Sequence, residues 1–145
     1  MRQPVAGTVA RGELFADDVF YHGKTARGDT VRKIPVPVTM QLLERGQDRY
    51  NIFCWPCHGG VGEGNMVFLM RGMIPPPSLH LDYMRNYTDG HIFLVITHGI
   101  RNMSAYGYQI PAHDRWAIVA YVRALQRSQH ATIDDLPEKI RSEYE

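Results

Sequence analysis

The chain has 145 residues, 44% of them hydrophobic, with sixteen basic and fifteen acidic side chains for a formal net charge of +1. That length gives one ordinary domain, or a smaller domain with extensions, and the balanced charge excludes a nucleic-acid partner held by phosphate neutralisation. No stretch reaches the roughly eighteen apolar residues of a membrane span, and the start, MRQPVAGTVARGEL, lacks the apolar core of a secretory signal. The expectation is a soluble chain, trimmed from a longer precursor. Only Lys24, Lys33 and Lys139 are lysine, and the other thirteen basic residues are arginine. Arginine suits fixed, bidentate, partly buried contacts, which favours a permanent interface over fleeting electrostatic docking.

Residues 1–38 show no helical period, carry scattered Gly and Pro and end in IPVPV. They read as an extended N-terminal arm lying on another surface, because free disorder rarely retains side chains such as Phe15, Phe20 and Tyr21. From Thr39 the pattern changes. Thr39 is a good N-cap, and Met40, Leu43, Gly46 and Tyr50 fall on one helical face. After His58 comes a Gly-rich loop, then three consecutive prolines, Pro75 to Pro77, which exclude a helix there. Ser78 is placed to cap a short helix through Tyr83–Arg85. Thr88 or Asp89 caps a second, GHIFLVITH, with Gly99 as its C-terminal stop. Pro111 fits the first turn of a long helix with Ile118, Tyr121, Val122 and Leu125 on its apolar face. Residues 39–130 therefore form an all-α domain, and the acid-rich residues 131–145 a polar, solvated C-terminal tail.

The only two cysteines stand in the run CWPCH, Cys54 to His58. A redox dithiol of this spacing belongs on a strand-to-helix turn in a βαβ pattern, whereas here a helix leads in and a Gly-rich loop follows. A structural zinc site needs about four ligands, and no second cysteine pair supplies them. Covalent haem explains every residue of the motif. Thiols one helical turn apart can add to the two vinyl groups of one porphyrin edge, and the next residue then presents its imidazole to the iron. The cofactor expected is one haem c, bound through Cys54 and Cys57 with His58 as axial ligand. A six-coordinate iron takes its second axial ligand from a distant segment, and Met103, in the loop between the last two helices, leads the candidates. His98 and Met73 come next, while Met66 and Met70 read as pocket lining.

Over about Thr39 to His130 the chain resembles the class I cytochrome c fold. Gly46 and Tyr50 on the first helix and Ile118 and Tyr121 on the last match the close helix crossing of that fold. The segment PPPSLH is similar to the family's proximal segment, where a proline carbonyl accepts the Nδ1–H of the ligating histidine. The words GTVARG, PVPVT, LLERGQDRYNIFCWPCHG, RGM–PPPS–H, GHIFLVITHGI and YGYQIPAHDRWAIVAYVRALQ further resemble the monohaem cytochrome c subunit of alternative complex III, a bacterial membrane quinol oxidoreductase. That resemblance spans roughly residues 4–130 and includes the arm. It departs at Met103-Ser104-Ala105-Tyr106, where the family commonly reads Met-Pro-Ser-Tyr.

What the resemblance implies is one-electron transfer without substrate chemistry of its own. The partners implied are the other subunits of the complex and a downstream cytochrome, copper protein or oxidase. The place implied is the periplasmic face of the bacterial cytoplasmic membrane, reached through partners or through a lipid anchor upstream of Met1. Arg71 is the candidate for a haem propionate. Two other classes remain open: a free-standing class I carrier, and a haem peroxidase or gas-sensor domain with a labile sixth ligand.

Overall fold

The computed structural model describes residues 5, 7–9, 14–64, 72 and 74–143. Met66, Met70, Arg71 and Met73, all named above, lie outside the described residues. Among the described residues the regular structure is helical, with only two isolated bridges, Lys24 with Thr30 and Ile100 with Met103.

The framework is a crossing of two helices, α2 (Met40–Phe53) and α6 (Ala112–Ser128) in the numbering used below. Thr39 caps α2 as expected, its hydroxyl accepting from the Leu42 amide at 3.2 Å. Pro111 stands at the cap of α6, one residue before the first turn. The helices meet at Gly46. A Cβ there would lie 2.0 Å from the Ala117 carbonyl oxygen and 2.9 Å from Tyr121 Cβ, so only glycine permits this approach. One turn on, Tyr50 is buried with its ring 5.3 Å from that of Tyr121. Arg45 fixes the same crossing from outside, donating from Nε and Nη2 to the two Asp114 carboxylate oxygens at 2.9 and 2.7 Å.

Between them lie α3 (Trp55–His58), α4 (Asp82–Arg85) and α5 (Asp89–His98). Thr88 caps α5, accepting from the His91 amide at 3.1 Å, and Gly99 ends it at φ +72°. Ser78 does not cap α4. Its Oγ accepts from the His80 amide two residues on, at 3.2 Å, and that local turn competes with helix initiation, which waits until Asp82. No helix among the described residues is long and apolar enough to cross a membrane.

The described part of residues 1–38 departs from an extended arm. It contains a short helix, α1 (Asp18–His22), capped by Asp17 and stopped by Gly23 at φ +61°. Five residues carry too little periodicity to announce themselves. The segment also packs into its own domain. Trp116 Nε1 donates to the Phe20 carbonyl at 2.7 Å, the Ile34 amide to Asp89 Oδ2 at 3.0 Å, and the Gly90 amide to the Val31 carbonyl at 2.9 Å. Val31 is buried in one cluster with Phe93, Ile96, Trp116 and Ile118. Phe93 and Trp116 stack with ring centroids 4.2 Å apart, and burying a large apolar side chain of this kind contributes about 1.5–3 kcal/mol. Residues 131–143 hold a 3₁₀ turn (Ile133–Asp135) and α7 (Glu138–Arg141), tied to the body by the Arg127–Asp135 ion pair.

Candidate haem site

Both cysteines sit where α2 gives way to α3. The Cys54 amide makes the last bond back to the Tyr50 carbonyl at 2.8 Å, and the Cys54 carbonyl accepts from the amides of Cys57 and His58 at 3.1 and 2.8 Å. The two side chains therefore lie one turn apart on one side of the chain, both half-buried and not joined to each other. Burial, followed by the neighbouring Cys57, pushes the Cys54 thiol up to about 12. A redox cysteine needs the opposite, a thiol lowered toward neutrality, so this environment disfavours the dithiol alternative.

Burial also lowers the His58 pKa, which favours the neutral imidazole, the form that binds a metal. Its Nδ1 is buried with no hydrogen-bond partner among the described residues. The expected proline carbonyl is not bonded to it. Of the three prolines, Pro76 turns its carbonyl oxygen onto Gly64, where a Cβ would meet it at 2.2 Å. A half-buried imidazole whose Nδ1 has no partner among the described residues, beside two free thiols on one turn, is the donor set of a c-type haem, and the residues present fit that group.

The loop after His58 is closely tied. Tyr50 Oη donates to the Gly59 carbonyl at 2.9 Å, the Gly64 amide to the His58 carbonyl at 2.9 Å, and the Leu79 amide to the Gly62 carbonyl at 2.8 Å. His80 Nε2 donates to the Val61 carbonyl at 2.6 Å, and Gln126 Nε2 reaches from α6 to the Leu79 carbonyl at 2.7 Å. His80 is a half-buried brace between this loop and the proline-rich segment.

Met103 lies in a tight turn after α5. It exchanges both backbone hydrogen bonds with Ile100, at 2.9 and 3.1 Å, and Arg101 between them stands at φ +51°. Two amides then fasten the loop to the last turn of α5, Tyr106 to the Ile96 carbonyl at 2.9 Å and Gly107 to the Thr97 carbonyl at 3.1 Å. Burial, then the thiols of Cys57 and Cys54, raise the Tyr106 pKa. The Tyr106 ring also lies 6.3 Å from that of Phe53, at the end of α2. His98 groups instead with Asp18, His22 and Lys24 around a cavity of about 330 Å³ on the α1 side. Arg71 and Met73 lie outside the described residues.

Sequence reasoning missed Arg115 and Thr97, which lie behind the Met103 loop. The signal was present: Arg115 is in register with Ile118, Val122 and Leu125, a charged residue on an apolar stripe.

A family model described as cytochrome C oxidase, cbb3-type, subunit III matches residues 41–122. No curated protein matches the chain. Among solved structures, the chain is similar to one from the reducing HAO-like protein complex of Kuenenia stuttgartiensis, at 19% identity and TM-score 0.53, covering 74% of this chain and 54% of that one. It is similar to cytochrome cL of the marine methylotrophic bacterium Methylophaga aminisulfidivorans at 18% identity and TM-score 0.54, covering 99% and 86%. Cytochrome cL from Hyphomicrobium denitrificans matches at 25% identity and TM-score 0.48, covering 70% and 57%. The chain spans little more than half the length of the first and the last of these. The likenesses to the first two establish the fold, that of class I c-type cytochromes. With the family model covering more than half of its residues, the chain is a cytochrome c domain with covalently bound haem c and belongs to the family described as cytochrome C oxidase, cbb3-type, subunit III.

Proposed function

We propose that this chain is the monohaem cytochrome c subunit of alternative complex III, in which Cys54 and Cys57 would hold one haem c and His58 and Met103 would bind its iron, so that the chain passes single electrons. The observation that supports the ligation is the approach of the two segments, with the Tyr106 ring of the Met103 loop 6.3 Å from that of Phe53, the residue before Cys54. The haem supplies a reversible Fe(III)/Fe(II) couple. As a ligand, the neutral thioether of Met103 would favour the ferrous form and so a higher potential than a second imidazole. The buried surroundings of His58 act in the same direction, because burial disfavours the more highly charged state. Arg71 is proposed as a propionate partner.

The quinol oxidoreductase setting is supported by the sequence words shared with that subunit and by an arginine-rich, lysine-poor composition. It implies electron entry from neighbouring redox centres, exit to a downstream cytochrome, copper protein or oxidase, and a position on the periplasmic face of the membrane. A lipidated cysteine upstream of Met1 is one route to that membrane. A free-standing carrier is the second reading, favoured by the packing of residues 18–34 onto their own domain. Met103→Ala tests the ligation: a high-spin or misligated haem of markedly lower potential is expected, and a retained methionine–iron charge-transfer band would overturn it. Native purification from membranes tests the setting, with the other subunits co-purifying if the complex reading holds and the cytochrome recovered alone if the carrier reading does.

A further inference from the structure

We propose that Arg115 and Thr97 are positioning residues for the sixth-ligand loop, a latch that holds residues 99–107 against the end of α5. The functional consequence rests on Met103 being the ligand, while the latch itself rests on geometry alone.

Arg115 is 8% exposed on the apolar stripe of α6. Its Nη1 donates to Thr97 Oγ1, its guanidinium lies 4.5 Å from the Phe93 ring centroid, and its Nε is buried with no partner among the described residues. An aliphatic residue would fill the stripe without the desolvation cost of a buried cation, so packing alone does not account for an arginine here. Thr97 explains it. The threonine hydroxyl donates to the Phe93 carbonyl at 2.7 Å, which leaves its oxygen to accept from Arg115. The Thr97 carbonyl, one of the orphan acceptors at the end of α5, accepts the Gly107 amide at 3.1 Å. The missing Cβ of Gly107 would stand 2.8 Å from that carbonyl oxygen and 3.1 Å from Thr97 Cγ2.

Thr97 is thus gripped by Arg115 on one side and covered by the ligand loop on the other. The guanidinium beside the final turn of α5 also sits where the helix dipole favours a cation. Removing the Arg115 guanidinium or the Thr97 hydroxyl breaks this grip and loosens the turn of α5 on whose carbonyls Gly107 and Tyr106 dock.

The test uses the holoprotein with Thr97→Val, Arg115→Gln and the double variant. Thr97→Ser, which keeps the hydroxyl, is the control. Amide hydrogen exchange is read at Tyr106 and Gly107 and compared with α2 and α6. The latch predicts about tenfold faster exchange at the two loop amides in either variant, little more in the double variant, wild-type rates in Thr97→Ser, and unchanged rates in α2 and α6. The methionine–iron band should vanish at lower denaturant concentration than the helical signal does. Loop exchange unchanged in the isosteric Thr97→Val would overturn the proposal, as would exchange rising equally throughout both helices. If the band survives in Met103→Ala the ligand assignment fails, and loop-amide exchange still decides the latch.

Discussion

The two sides of the proposed haem site are built differently. On the His58 side, residues 59–64 are tied to α2 through Tyr50, to the proline-rich segment through Leu79 and His80, and through Leu79 to α6 by Gln126. On the Met103 side, the loop has its own two-bond turn and two amides docked on the last turn of α5. The first side is part of the fold, and damage there should spread to the whole domain. The second is fastened mainly through the end of α5, with the Tyr106 ring beside Phe53 of α2, and damage there should stay largely with ligation. Attachment needs a geometry fixed in advance for two covalent bonds, whereas a sixth ligand needs only to be held in place.

The largest expected effect comes from the attachment turn itself. Cys54→Ala and Cys57→Ala should each lose most of the covalently bound haem, read as haem stain on a denaturing gel, and wild-type staining in both would remove them from the site. Two glycine substitutions then set the sides against each other. Gly64 has φ +74°, and its Cβ would meet the Pro76 carbonyl oxygen at 2.2 Å. With backbone on both sides of that clash, Gly64→Ala should cost about 2–4 kcal/mol of global stability in denaturant unfolding.

Gly99 is locally similar, at φ +72° with a Cβ 2.4 Å from the Met103 carbonyl oxygen. There the loop can lift, so Gly99→Ala should cost only about 1–2 kcal/mol globally while weakening the methionine–iron band. Equal global losses, with the band intact in both, would erase the contrast between the two sides. The smallest effect lies outside both. The hydrogen bond from Arg45 holds the Asp114 carboxyl below its usual range. Its stabilising contribution is present above the unfolded-state pKa of about 3.9 and is lost as pH falls through the lower folded value. Asp114→Asn should therefore lower Tm at pH 7 and narrow its gap to the wild type in acid.

The helix crossing was legible because its determinants are local. Gly46 and Tyr50 lie at helical spacing before Cys54, and Thr39, Thr88 and Gly99 act on residues within one turn of themselves. The arm was not legible, because its anchors join residues far apart in sequence: Phe20 to Trp116 and Ile34 to Asp89. No period within residues 1–38 encodes such contacts. Deleting residues 1–33 consequently removes Val31 from the core and the acceptor of Trp116 Nε1, and should lower Tm markedly, more than a cut before Asp17, which keeps both. The site divides in the same way. CWPCH is a contiguous word, but the latch behind Met103 needs α6 laid against α5. Arg115 betrays it in sequence only as a charge on a stripe that should have been apolar.

The central claim is that Cys54 and Cys57 together carry one haem. Intact mass spectrometry of the purified, denatured protein, with thiol alkylation and peptide mapping, tests it most directly. The expected result is the mass of the chain plus one haem, no alkylatable thiol, and the haem retained on the peptide containing CWPCH. A mass matching the bare chain, with both cysteines alkylated, would contradict it.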